Sequence, residues 1–204
     1  MSNRINNAYI LKKDEKVLIK NNFFIHNDWE KSTFSTIKSN IKDFLRPEQN
    51  NKCCYCKREL GFDIKDVDIE HIISKSTYPE FTFFPLNLAL SCPGCNTKKG
   101  NYKINSKAIV RYPKNSDNLL IVHAHFDKFN DHIIIHQGFL FEPISKKGSN
   151  TITVCELFRL KTVEELAKVA ISKKSDENQI IDKLLKSSKE ELGAVLIEIR
   201  KYIK

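Results

Sequence analysis

The chain has 204 residues, a formal charge of +9 and a sequence pI of about 9.2. That length supports an ordinary hydrophobic core, so no metal or disulfide is needed merely to compensate for small size. No apolar run approaches membrane-spanning length, and the polar, Asn-rich start from Met1 to Tyr9 lacks the character of a signal peptide. The chain is therefore expected in a reducing cytoplasm, where paired C-x-x-C turns hold metal more often than they form bridges.

In chain order, Val17, Leu18 and Ile19, then Phe23, Phe24 and Ile25, offer short segments for burial. Asp28 reads as an N-cap, and Phe34, Ile37, Ile41, Phe44 and Leu45 recur at helical spacing until Pro47. Val67 to Ile72 alternates as a strand does, with Val67, Ile69 and His71 on one face and Asp68, Glu70 and Ile72 on the other. After a loop holding Pro79 and Pro85, Leu86 to Leu90 forms a second short apolar element. Asn96 to Lys99 opens a short helix that Gly100 ends. Beyond Pro113 the β-branched and aromatic runs Leu119–Val122, Ile133–Ile135 and Gly138–Phe141 predict a small, mostly antiparallel sheet, completed by Thr151–Val154 after a turn at Lys146–Asn150. The remainder reads as helical. Thr162 with Glu165 and Ser188 with Glu191 are capping-box pairs, and Leu192, Val195, Leu196, Ile199 and Ile203 form a buried stripe.

The cysteines carry the strongest signal. Cys53 and Cys56 form one C-x-x-C pair and Cys92 and Cys95 another, and 35 residues separate them. Two such turns place four thiolates around one Zn²⁺. Cys54 lies inside the first pair at poorer spacing and is a spectator; Cys155 reads as a core residue. Between the pairs lie Glu70, His71 and Asn87, with Asn96 directly after the last cysteine.

Phosphodiester cleavage requires an activated water and a cation to offset charge on the phosphoryl oxygens. A neutral His71 supplies a general base. Glu70 supplies a hard oxygen for Mg²⁺ or Mn²⁺, Asn96 supplies a second, and Asp68, on the same side of the strand as Glu70, is an alternative ligand. Glu70 and His71 are neighbours on a strand, so they share a site only if the strand ends or bulges there. The basic excess is spread along the chain, but Lys98, Lys99, Lys103, Lys107 and Arg111 follow the last cysteine with no acid among them, which suits a phosphate backbone.

Glu70-His71, Asn87 and Cys95-Asn96 with Lys99, framed by the two cysteine pairs, resemble an HNH endonuclease of the ββα-metal type with a structural zinc. More loosely, the helix entering a C-x-x-C turn, together with His123-Ala124-His125-Phe126-Asp127 and Asp131-His132-Ile133, is similar to the HNH nuclease subunit of Septu-type anti-phage systems, which works with a partner ATPase. The resemblance implies an α+β fold: a zinc-stapled ββα-metal core at 51–112, an N-terminal helical extension at 1–50 and a β-then-α extension at 113–204. It implies a nucleic-acid substrate, DNA or RNA. It makes Asn87 the middle asparagine, which holds the loop and orients His71. Asn96 stands where three-histidine versions of the motif place their last histidine, which favours a hard cation over catalytic zinc.

Two other function classes are measured against this one. A zinc-bound nucleic-acid or protein-binding module would need the cysteines and not His71. A zinc deaminase carries H-x-E before P-C-x-x-C, whereas here Asp68 stands two residues before Glu70 and Ser91 precedes Cys92. His123, His125, His132 and His136 are expected to be structural or surface groups; alternation places His132 and His136 on one strand face.

Overall fold

The computed structural model describes residues 4–159, and the helical stripe and capping boxes expected beyond Thr162 lie outside them. The chain divides into two units, Met1–Ile133 with Pro143–Leu157, and Ile134–Glu142 with Phe158–Lys204.

In the first unit, Lys13–Asn22 forms helix α1, so Val17 to Ile19 are helical and Val17 is half exposed. Its buried residue is polar. Glu15 accepts the Lys12 N–H at the helix start, the Tyr9 hydroxyl at 2.7 Å and the Asn40 amide at 2.9 Å, and the last of these fastens α1 to the next helix. Asp28 does not start that helix. It sits in a 3-10 turn, His26–Glu30, and its carboxylate takes the N–H groups of Phe24 and Ile25. Helix α2 runs Ser35–Glu48, with Pro47 accommodated in its last turn. Ile37, Ile41 and Leu45 form its buried stripe.

The chain then enters the first cysteine turn, where Lys57 adopts φ +55° and its N–H returns to the Cys53 carbonyl. Strand β1, Asp68–His71, pairs antiparallel with β2, Leu88–Ser91, in the register Asp68 to Ser91 and His71 to Leu88. Helix α3, Pro93–Lys99, follows at once and ends at Gly100 with φ +47°. This is the expected strand, strand and helix order, with α2 packed on the two strands.

Two expectations fail after residue 113. Leu119–Val122 is not a strand: Leu119 makes a single bridge to Asn105, Leu120 donates to the Ile104 carbonyl, and Val122 donates to the Thr151 hydroxyl. Thr151–Val154 belongs to helix α4, Lys146–Val154. Ser145 caps α4 by accepting the Gly148 N–H, and Thr151 and Ile152 are buried, so burial and a cap override β-branched propensity. Thr151–Val154 being helical, Cys155 follows α4 directly and is buried there, in the core as expected.

The described part of the second unit holds most of a hairpin. Strand β3, Ile133–His136, pairs with β4, Leu140–Pro143, as expected for the 133–141 runs. Gln137 and Gly138 turn the chain with positive φ, and His136 contacts Glu142 at 2.8 Å. Among the described residues no helix is long and apolar enough to cross a membrane.

Candidate active site

The two cysteine turns meet. The sulfurs of Cys53, Cys56, Cys92 and Cys95 all lie within 4.8 Å of one another, all four residues are buried, and none forms a disulfide. Cys56 and Cys92 are 3.8 Å apart, the edge of a tetrahedron whose metal–sulfur bonds are about 2.3 Å. The group could hold a metal ion such as zinc. Cys54 stays outside it and uses its N–H to hold the Leu90 carbonyl of β2 at 2.9 Å.

Alternation on β1 separates the neighbouring acid and imidazole. Glu70 is fully buried, with Oε1 2.6 Å from the Lys99 ammonium and 3.1 Å from the Tyr55 hydroxyl. Burial pushes its carboxyl above the usual value while Lys99 and Tyr55 pull the other way. Lys99, expected at a phosphate, is itself buried. It spends its charge on Glu70 and donates to the His71 carbonyl at 2.9 Å, which pins the end of β1 to α3. Lys98 pairs with Glu156 at 2.7 Å, and Lys103 is exposed and does not line the groove that His71 lines.

His71 turns the other way. Trp29 meets its ring edge-on at 4.6 Å, and its buried Nε2 has no protein partner. Burial, reinforced by Lys75 and Lys99, holds the imidazole at a pKa of about 3, so it is neutral at physiological pH. Asn87 is fully buried and bonds main chain rather than solvent. Its oxygen accepts the Ile73 N–H at 2.7 Å, and its amide donates to the carbonyls of Ile73 and Phe81 at 2.9 and 3.0 Å. It thus ties together Ile73 and Phe81, the two ends of the loop that leaves β1 after His71. Tyr112 extends the support, with its hydroxyl 3.2 Å from the Asn87 oxygen and 2.8 Å from His123 Nε2.

Asp68 and Asn96 are in contact, Asn96 Nδ2 to Asp68 Oδ2 at 2.9 Å. They line one open groove of about 790 Å³ with His71. Glu70 does not line it. The structure therefore places His71, Asp68 and Asn96 along one groove, although alternation assigns Asp68 to the side of Glu70, and it leaves Glu70 out of that groove, buried against Lys99.

Sequence reasoning missed the other wall of this groove. Lys38, Lys42 and Arg46 of α2 line it, with Lys75 and Phe62. Their i, i+4, i+8 spacing was the available signal, since each follows a buried stripe residue by one position. The four downstream histidines are accounted for locally. His123 is fully buried, His125 Nε2 contacts the Leu88 carbonyl at 2.8 Å, and His132 contacts Ser145.

The HNH endonuclease family model matches residues 53–102. The match covers the first cysteine turn through the end of α3, so the HNH segment is the ββ-and-helix core with its cysteine cluster. Beyond it the chain is similar to "Septu protein PtuB" of Bacillus thuringiensis, 38% identical over 73 residues, covering 36% of this chain and 28% of that protein. It is 29% identical over 164 residues to "Septu protein PtuB" of Bacillus mycoides, covering 71% and 55%. It is 24% identical over 188 residues to the "Retron Vc95 putative HNH endonuclease" of Vibrio cholerae, covering 84% and 86%. The chain thus spans about half or less of the two Septu relatives. No solved structure is matched.

Proposed function

We propose that this chain is a metal-dependent HNH endonuclease that hydrolyses phosphodiester bonds in nucleic acid, as the nuclease component of an anti-phage defence system in the cytoplasm. The observation that carries the reading is a neutral imidazole with a buried, unpartnered Nε2, on a residue that lines the same groove as a touching carboxylate and amide. In this reading residues 51–112 are the nuclease core, with 1–50 and 113–204 as extensions. The cysteine cluster holds structural Zn²⁺ and fixes α3 against β1.

Asp68 brings a carboxylate, and Asn96, whose amide N–H donates to it, carries a carbonyl oxygen on the same amide, a hard-oxygen donor set that fits Mg²⁺ or Mn²⁺. A divalent cation there would offset charge on the phosphoryl oxygens and leaving group. His71 takes the proton from the attacking water at Nε2. Its low pKa makes it a weak base that is always in the correct form, so its contribution lies in position. Trp29 fixes the ring edge-on, and Asn87 holds the loop beyond it, orienting the imidazole without touching metal. Glu70 and Lys99 lock β1 to α3 from beneath. The similarity to Septu proteins extends the proposal to a partner ATPase that gates cleavage.

The test incubates the chain, alone and with a candidate ATPase, with DNA and RNA in Mg²⁺ or Mn²⁺ beside a His71→Ala variant. Cleavage that falls by about 10²-fold or more in the variant is expected, the usual scale for a general base. Nucleic-acid binding without His71-dependent cleavage in any of these mixtures would leave a binding module.

A further inference from the structure

The groove that holds His71 has two ends of different chemistry. Near His71 it is polar. Farther along, Phe62 lines the groove and is 82% exposed. Its presentation is built rather than loose. The Arg46 guanidinium lies over the ring at 4.8 Å, donates to the Gly61 carbonyl at 3.0 Å and to Asn51 at 2.5 Å, and is thereby fixed as a plane. Asn51 in turn holds the Leu60 carbonyl at 2.7 Å. Gly61 is required, because a side chain there would collide with Asp66. Arg46 thus backs the ring and, with Asn51, fixes the chain just before it, so that Phe62 is presented to the groove.

Between Phe62 and His71 runs the basic edge of α2. Lys38, Lys42 and Arg46 fall one turn apart, a rise of about 6 Å per step. Lys42 donates to the Val67 carbonyl at 3.0 Å and Lys38 to the Trp29 carbonyl at 3.1 Å, so both stems are laid along the wall. A row of cations with an aromatic platform at its end is how proteins hold an unpaired strand: the cations follow the phosphates, and a base stacks on the ring. A base paired in a duplex has no free face to offer.

We infer that the nuclease groove takes a single-stranded segment, with an unpaired base stacked on Phe62 and its backbone along Lys38, Lys42 and Arg46 towards His71. The inference rests on the nuclease reading for its site and adds the substrate class. It applies equally to unpaired DNA and to unpaired RNA, such as a loop, because the stacking face and phosphate are common to both.

The test measures binding by fluorescence anisotropy in the full chain carrying His71→Ala, so that nothing is cut. The probes are labelled 20-nucleotide single strands and blunt duplexes of the same sequence, as DNA and as RNA. Phe62→Ala is expected to weaken single-strand binding about fivefold or more and to leave the weaker duplex binding unchanged. Phe62→Trp is expected to restore it. Since Phe62 is exposed, neither variant disturbs the core. In the active chain, cuts in a hairpin substrate are expected in its unpaired loop. Single-strand binding that ignores Phe62→Ala, or a loss shared equally by duplex and single strand, overturns the inference. Duplex cleavage that survives Phe62→Ala overturns it and leaves the nuclease reading standing, whereas a chain that binds no nucleic acid, alone or with the candidate ATPase, overturns both.

Discussion

Glu70 and His71 are adjacent in sequence and opposite in surroundings, one closed into a buried ion pair and the other facing a groove. The same logic of environment governs His123. Its Nδ1 faces the N–H groups of His125 and Phe126 at 3.2 and 3.3 Å, so the ring carries its proton on Nε2 and gives it to the Tyr112 hydroxyl at 2.8 Å. A second proton would have to sit where two N–H groups already point. Burial first, then His125 and Lys147, hold its pKa well below 6.5. Because the folded value is below the unfolded one, the unfolded chain binds more protons in between, and stability is lost as pH falls below about 6.5. His71 and His125 shift in the same direction, and loss of metal from thiolates adds to the acid sensitivity. A comparison with His123→Gln removes these shared contributions. Its stability deficit in urea at pH 8 is expected to narrow by about 1.4 kcal/mol per pH unit below about pH 6. A deficit that does not change with pH would mean that His123 accepts its proton in the folded chain. The sequence showed which residue types stand here, but Tyr112, His123 and Asn87 meet only through folding, so their connection was not legible in spacing.

At the scale of elements, what was legible were those whose signals are local. The Ile37, Ile41, Leu45 stripe gave α2, alternation gave β1, and Gly100 marked the end of α3. Residues 119–122 and 151–154 misled because their β-branched content is satisfied by tertiary partners: Thr151 bonds Lys147 within α4 and Val122 across the fold. The element boundary at Asp28 was missed for a similar reason, since a carboxylate that caps backward looks identical in sequence to one that caps forward. The cysteine pairs were legible because their spacing is itself the constraint. Helix α3 spans Pro93–Lys99, too short to persist alone, and the cluster anchors its start while Lys99 anchors its end. Freshly prepared protein should therefore contain about one zinc per chain, measured by plasma emission. Removal with a strong chelator, or Cys92→Ser, should lower the melting temperature by several degrees or more, as expected when metal binding contributes folding energy. A chain with no zinc and an unchanged melting curve after chelation would show that α3 is held by packing alone.

For the whole molecule the question is which of its many cations meet the substrate. A charge of +9 favours polyanions without locating them. The run after the last cysteine drew attention because it lacks acids, yet Lys99 is buried against Glu70 and Lys98 is paired with Glu156. The α2 edge was less conspicuous, because Asp43 and Glu48 interrupt it in sequence, although the helix puts Lys38, Lys42 and Arg46 in line along one wall. Counterion release distinguishes the two surfaces quantitatively. Lys75 is paired with Glu30 at 3.0 Å, so if a single strand is neutralised by Lys38, Lys42 and Arg46, the logarithm of its binding constant should fall with the logarithm of salt concentration at a slope of about −2. Lys38→Gln and Lys42→Gln, which keep a donor for the Trp29 and Val67 carbonyls, should each make the slope shallower by about 0.7. Lys103→Gln should leave it where it is, because Lys103 is outside the groove. If the dependence followed Lys103 and ignored α2, the strand would cross the protein on another face, and the imidazole would reach it only from the side.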